Sequence, residues 1–280
     1  MRKFLSAILF ALNHCLYSQM AYFETGTLSK SMGNISSQIG DGFAVMNNPS
    51  LLVQNEQTEV CLFSENKFLM KELNLHAFAL KANLKNKNAI GFGVYRWGFE
   101  LFNQTRATLG YAMHLSPTFS VGVALNYISF AFADIYGQKS ALYANLGFTA
   151  KVNDQWYFAG SVDNVNRAKI IDQYNELLTT ILRLGTTYAF SDQLKMSLEA
   201  VKNHLYPVSI RTGIYYQITS PLAILCGYQT SPNKYTAGLQ YHWNKIKFGT
   251  AMEYHPVLGI SPSISLHYIF EKKVKNAPQQ

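Results

Sequence analysis

At 280 residues the chain is long enough to bury a sizeable core, yet only 14% of its residues are charged, against about a quarter in ordinary soluble domains, while 48% are hydrophobic and 14% aromatic. A mean hydropathy of -0.03 is what results when half the side chains meet lipid and half meet water. The formal charge of +8 is spread without a Lys/Arg patch in the body of the chain, so no nucleic-acid partner is expected.

Taken in order, the chain opens with Arg2 and Lys3, an apolar run from Phe4 to Leu12, and then Ser18 followed by Gln19. This layout predicts a secretory signal peptide over residues 1–18. The run is too short for a bilayer-spanning helix, and no later stretch supplies about eighteen consecutive apolar residues. Cys15 would suit lipid attachment only behind small residues, which Leu12-Asn13-His14 do not provide. Beyond the signal the remaining cysteines are Cys61 and Cys226, so neither a disulfide scaffold nor a metal cluster is expected, and no cofactor motif is present.

Residues 19–57 come next. Gly33, Gly40 and Gly42 permit close backbone approach or positive φ, and Pro49 fixes a turn. Ile35, Ile39, Phe43, Val45 and Met46 are too apolar for a solvated tether. The segment is therefore read as a plug folded inside the domain that follows, with a disordered linker as the alternative.

Over residues 58–270 the sequence breaks into stretches of about nine to thirteen residues with period-2 alternation, the length a tilted strand needs to cross a membrane. Leu182, Leu184, Thr186, Tyr188 and Phe190 share one face, and Arg183, Gly185, Thr187 and Ala189 the other. The same split separates Ile210, Ile214 and Ile218 from Arg211, Gly213 and Gln217, and Phe248, Met252 and Tyr254 from Gly249, Ala251 and Glu253. One face suits lipid and the other a lumen. Short turn-forming clusters at 85–88, 116–117, 153–154, 191–192, 220–221 and 244–245 fall after every second strand, which marks the periplasmic end of an outer-membrane barrel. The longest outward connection runs from Asp163 to Leu178, either with a helical turn near 172–178 or as a plain loop.

The predicted strands are 58–64, 72–84, 88–99, 101–113, 118–131, 138–151, 155–163, 179–190, 194–202, 207–218, 220–230, 233–243, 246–254 and 259–270. The fold class is all-β: a transmembrane antiparallel β-barrel of about fourteen strands in outer-membrane lipid, with twelve as the alternative count. A soluble β-sandwich is disfavoured, since globular strands average about five or six residues. Tyr268 and Phe270 give the last strand the alternating aromatic ending read by the barrel-assembly machinery, and residues 271–280 are expected to form a periplasmic tail.

Ser31-Met32-Gly33-Asn34-Ile35, then Gly40-Asp41-Gly42-Phe43-Ala44-Val45-Met46-Asn47-Asn48-Pro49-Ser50-Leu51, resembles the N-terminal signature of the FadL-like barrels. That group includes long-chain fatty-acid transporters and the PorV/PorQ proteins of type IX secretion. Its Asn-Pro-Ala-Gly-Leu turn is replaced by Asn48-Pro49-Ser50-Leu51, with Ser for Ala and no Gly. The resemblance implies a fourteen-stranded barrel with an N-terminal plug, and assigns the plug motif to Gly33, Gly40, Asp41, Gly42, Asn48 and Pro49. In the fatty-acid transporters a kinked strand opens the wall; Gly91, Gly93 and Gly98 would permit a comparable kink, or simply pack under a plug.

Charges on the inward face include Arg106, Arg183, Arg211, Lys195, Glu199 and Glu253, beside His76, His114 and His242. A structural ion network is the ordinary use of such groups, and attraction of a carboxylate headgroup the sharper one. No nucleophile motif, metal-protease motif or phosphate loop occurs, so no enzyme is expected. Two functions stand: passage of a hydrophobic small molecule past the plug, and docking of secreted proteins or secretion-system components at the cell surface.

Overall fold

In the computed structural model the described residues are 22–84, 87–133, 137–170, 177–203 and 206–270. The expected signal peptide, the tail 271–280 and residues 172–176 lie outside them. Fourteen strands form one sheet: β1 Thr58–Asn66, β2 Asn74–Asn83, β3 Asn88–Gly98, β4 Phe102–Ser116, β5 Phe119–Phe132, β6 Gln138–Lys151, β7 Trp156–Asp163, β8 Ile181–Ala189, β9 Leu194–Asn203, β10 Ser209–Thr219, β11 Leu222–Thr230, β12 Asn233–Trp243, β13 Ile246–His255 and β14 Gly259–Phe270. Each pairs antiparallel with its sequence neighbours, and β1 closes on β14 from Thr58↔Phe270 to Glu65↔Ser263. The count is fourteen, not twelve, and the predicted bounds hold to within a few residues.

The alternation sorts side chains as the sequence predicts. Leu182 and Leu184 are 41% and 49% exposed while Arg183 between them is 0% exposed. Leu239, Tyr241, Met252, Leu266, Tyr268 and Phe270 likewise face outward. A closed ring leaves no free strand edge, which hydrocarbon demands because an unsatisfied backbone group there costs several kcal/mol. No helix among the described residues is long and apolar enough to cross a membrane. The strands do the crossing.

The ring is uneven in height. β4, β5 and β6 run 15, 14 and 14 residues, whereas β7 has 8. Pairing of β6 with β7 begins only at Leu146↔Val162, so the outward half of β6 rises past the end of its neighbour. The segment after β7 finishes that edge: Val165 N–H donates to Ala144 O (3.0 Å), and Asn166 Oδ1 accepts from Ala144 N–H (3.0 Å).

Inside the ring, residues 23–53 are almost wholly buried. They form a short helix at Thr27–Ser31, another at Ala44–Asn47 and a 3-10 turn at Pro49–Val53. Asn48 starts the last of these by accepting from Ser50 N–H (3.2 Å), with Pro49 at its first position, where no N–H is needed. Val45, Met46, Leu51 and Leu52 pack with Ala79, Ala89 and Ala112 of β2, β3 and β4. The wall is small-sided where the inner segment touches it: a Cβ at Gly122 would lie 2.4 Å from the Pro49 carbonyl carbon, and one at Gly227 would lie 2.1 Å from Gly33 N.

Leu125 is 54% exposed at the middle of β5, between the buried Ala124 and Asn126. Leu125→Arg is expected to cost about 2–4 kcal/mol, the midplane penalty for a lipid-facing cation in a barrel. Urea-dependent folding into phospholipid bilayers measures it, and a cost near zero would contradict a lipid-facing Leu125.

Candidate functional site: two vestibules and the layer between them

With the short-turn end taken as periplasmic, the lumen holds a recess at each mouth. The outward one, about 540 Å³, is bordered by the β9–β10 and β11–β12 connections and lined by Tyr22, Glu24, Lys30, Arg183, Arg211 and Lys234 among others. The periplasmic one, about 570 Å³, is bordered by the turns at 117–118, 153–155 and 191–192 and includes Gln38, Ile39, Gln54, Lys195, Tyr215 and Gln240. The outward one lies along the inner faces of β8 to β12, and the periplasmic one spans β4 to β12.

Asn34–Ser37 line neither recess and, with Gln38 at the edge of the periplasmic one, form a layer of the inner segment. Its backbone is fixed to the wall by charge: the N–H groups of Ser36 and Ser37 donate to Glu199 Oε1 (3.0 and 2.9 Å), and Arg211 Nη1 donates to Asn34 O (2.5 Å). Asn34 Nδ2 donates to Glu253 Oε2 (2.7 Å), whose other oxygen accepts from Lys234 (2.8 Å). Gln38 donates to Leu198 O (2.9 Å) and accepts from Thr187 Oγ1 (2.8 Å). Hydrogen bonds to charged groups are worth about 1.5–3 kcal/mol each, so a few of them form a firm but releasable attachment.

Of the six predicted lumen charges, all but Lys195 are inward and buried. Glu199, Arg211 and Glu253 belong to this layer's wall. Arg183 pairs with Asp163 (2.5 Å) and stacks over Tyr22, 4.3 Å from its ring centre, while its Nε and Nη2 have no hydrogen-bond partner among the described residues. Arg106 donates to Met46 O and Asn126 Oδ1 (both 3.0 Å) under Tyr22 and Tyr143. His114 meets Val53 O (3.1 Å). His76 does not belong in the inward group: it shares the outward phase of β2 and meets Ser64 Oγ on β1 (3.1 Å). His242 and Lys195 are exposed near the periplasmic mouth.

The motif glycines also find their places. Gly33 has φ +69 and lies against the Thr212 and Tyr228 backbones; Gly40 leaves room for the Gln54 side chain; Gly42 sits against Cys61 Sγ. Asp41 Oδ1 accepts from Phe43 N–H (2.9 Å). Gly91 and Gly93 lie in unbroken ladders on both sides, and the space they leave is taken by Val45, Leu52 and Met46. Gly98, with φ +103, ends β3. The register shows no bulge at any of the three; its shifts fall instead at His114–Ser116 of β4 and Gln217–Thr219 of β10, and the shortest pairing is that of β6 with β7.

Three contributors escaped the sequence reading. Lys30 pairs with Glu65 (3.1 Å), Glu24 with Arg211 (2.8 Å), and Asp163 with Arg183. Lone charges in a Ser/Gly-rich segment were the available signal. Burial alone would raise the Glu24 carboxyl, but Arg211 and Arg183, with Lys30, overcome it and hold the group down at about 2. Asp41 goes the other way: burial, then Glu59 beside it, pushes it up to about 7.

No family model matches the sequence, and no curated protein matches it either. Solved structures do. The CymD monoaromatic hydrocarbon channel superposes with a TM-score of 0.72 at 13% identity, covering 90% of this chain and 100% of that one. The toluene transporter TodX of Pseudomonas putida gives 0.66 at 13% identity over 90% and 98% of the two chains. A FadL homologue of Pseudomonas aeruginosa gives 0.61 at 10% identity over 90% and 99%. The fold is that of the FadL-type outer-membrane barrels. At these identities the likeness concerns architecture, and it agrees with the N-terminal resemblance and with the strand count.

Two outcomes follow. Because the Glu24 carboxyl lies below its ordinary value in the folded barrel, its contribution is complete above about pH 4.5 and is lost as pH falls toward 2. Glu24→Gln should flatten the acid limb of a protease-protection profile for the inner segment. Asp163→Asn removes the carboxylate that Arg183 is hydrogen-bonded to in the buried interior and should destabilise the barrel by about 3–5 kcal/mol; an unchanged urea midpoint would contradict the pairing.

Proposed function

We propose that this barrel passes hydrophobic or amphipathic small molecules across the outer membrane, from the outward vestibule to the periplasmic one, with residues 19–57 acting as the hatch. The observation that carries the reading is the pair of recesses, about 540 and 570 Å³, at the two mouths of a lumen whose interior is occupied by residues 23–53. The volumes match what a small organic ligand occupies. The outward recess offers apolar surface beside Lys30, Arg183, Arg211 and Lys234, which suits a ligand with a hydrophobic body and, where present, an anionic head. Likeness in fold to the FadL-type barrels supports the same reading, since two of those neighbours are described as a monoaromatic hydrocarbon channel and a toluene transporter.

The layer is the step to be relieved. Glu199→Ala removes the acceptor for Ser36 and Ser37 and one partner of Arg211 while leaving the outward face of the barrel intact. Loss of roughly 1.5–3 kcal/mol of attachment should raise the open population by at least about tenfold. In proteoliposomes the wild-type barrel should admit toluene or a long-chain fatty acid above empty vesicles, and the variant should admit it faster. Uptake equal to that of empty vesicles for both proteins would overturn the reading. Type IX secretion components or cargo retained on the detergent-extracted barrel, in place of lipid or hydrocarbon, would favour the docking function instead.

A further inference from the structure

On the inner face where β1 meets β14, three side chains of metal-ligating type converge. Cys61 Sγ lies 3.1 Å from His267 Nδ1 and 4.0 Å from Glu59 Oε2, and one ligand atom from each residue lies within 4.8 Å of the others. All three residues are buried, Glu59 and Cys61 at 0% exposure and His267 at 2%. We propose that Glu59, Cys61 and His267 form a binding site for a zinc-class divalent cation at the periplasmic end of the barrel.

The geometry is close to what such an ion requires. With ligand bonds of about 2.0–2.3 Å in a tetrahedron, ligand atoms stand roughly 3.3–3.5 Å apart. Sulfur and nitrogen must separate by a few tenths of an ångström, and the carboxylate oxygen must close by about half an ångström on the sulfur and by up to about 1.5 Å on the imidazole, shifts within the reach of side-chain torsions. A thiolate, an imidazole and a carboxylate suit zinc, and a thiolate with a carboxylate balances its two positive charges. The thiol proton leaves to solvent as the ion binds.

The surroundings orient each ligand. His267 Nε2 faces Ser265 Oγ (3.3 Å), which leaves the Nδ1 lone pair for the ion, and Phe43 meets the imidazole edge-on at 5.5 Å. Lys247 holds Glu59 by Oε1 (3.1 Å), so Oε2 remains for coordination. Gly42 gives the sulfur its place, since a Cβ there would lie 2.4 Å from Sγ. Access is from the periplasmic mouth: Glu59 is the second residue of β1, Lys247 the second of β13, and the Lys247 side chain is 23% exposed.

The site is separate from the two vestibules and does not depend on their use. It also ties Gly42 and Phe43 of the inner segment to the wall where β1 and β14 close, so a bound ion would strengthen the ring at its closure point.

The test uses the full mature chain refolded in detergent, carrying Cys226→Ser so that Cys61 is its single thiol. Titrated with Co²⁺ as a spectroscopic stand-in and with Zn²⁺ against a chromogenic chelator, it should bind one equivalent and show a thiolate-to-cobalt charge-transfer band. Cys61→Ser and His267→Asn should weaken binding by more than about 100-fold, beyond the 10–100-fold typical of outer-shell partners. A barrel that binds no equivalent, or binds equally well in both variants, overturns the proposal. Where a variant fails to fold, the Cys226→Ser barrel alone decides: Cys61 is then its single thiol, so a thiolate-to-cobalt charge-transfer band must come from it, and the absence of that band at saturating Co²⁺ overturns the site.

Discussion

Everything in this molecule depends on hydrocarbon offering no hydrogen bonds. A strand crossing it must have both edges paired, so the sheet returns to its beginning at Thr58↔Phe270 and the polypeptide becomes a cylinder. Once the wall is closed, each strand has one face in lipid and one in an interior that must be filled. Where pairing fails, at the outward half of β6, the chain supplies substitutes from Val165 and Asn166 rather than leave the edge bare. The short β7 is tolerated because of these replacements.

The interior is filled by the chain's own N-terminal segment, and the two halves of the ring receive it differently. Toward β2–β5 the contact is apolar, with Val45, Met46, Leu51 and Leu52 against alanines and glycines. Each such side chain is worth roughly 1.5–3 kcal/mol when fully buried. Toward β8–β13 the contact is ionic and hydrogen-bonded, through Glu199, Arg211 and Glu253. Buried charges are costly unless paired, so these residues and the backbone of Asn34–Gln38 each satisfy what the other would leave exposed.

The wall was largely legible in the sequence because a period of two is a local signal. Leu182/Arg183/Leu184 declares its two faces without reference to anything distant, and turn clusters such as Ser220-Pro221 set the ends. The inner segment was legible in outline, from its apolar residues and its glycines. Its partners were not, since Asn34 finds Glu253 at a separation of 219 residues and Cys61 finds His267 at 206. Glycines in β3 show the limit of local reading in another way. Gly91 and Gly93 suggest a bend as readily as a close contact, and only the positions of Val45, Leu52 and Met46 show what occupies the space. His76 misled because its type suggested a lumen position while its phase in β2 placed it outside.

The difference between the two attachments also orders any motion of the inner segment. Apolar burial is lost gradually and offers a displaced chain nothing in exchange, whereas a carboxylate such as Glu199 can exchange a backbone N–H for water once a vestibule floods. Under the proposed function the Ala44–Val53 stretch, packed against β2–β5, is the part that stays, and Asn34–Gln38 the part that lifts. The outward recess lies on that polar side, against β8–β12, and the periplasmic one extends from there round to β4–β7; neither draws its lining from Ala44–Val53. On the same proposal, a molecule entering from the outward recess would press on the Asn34–Gln38 side and leave Ala44–Val53 in place.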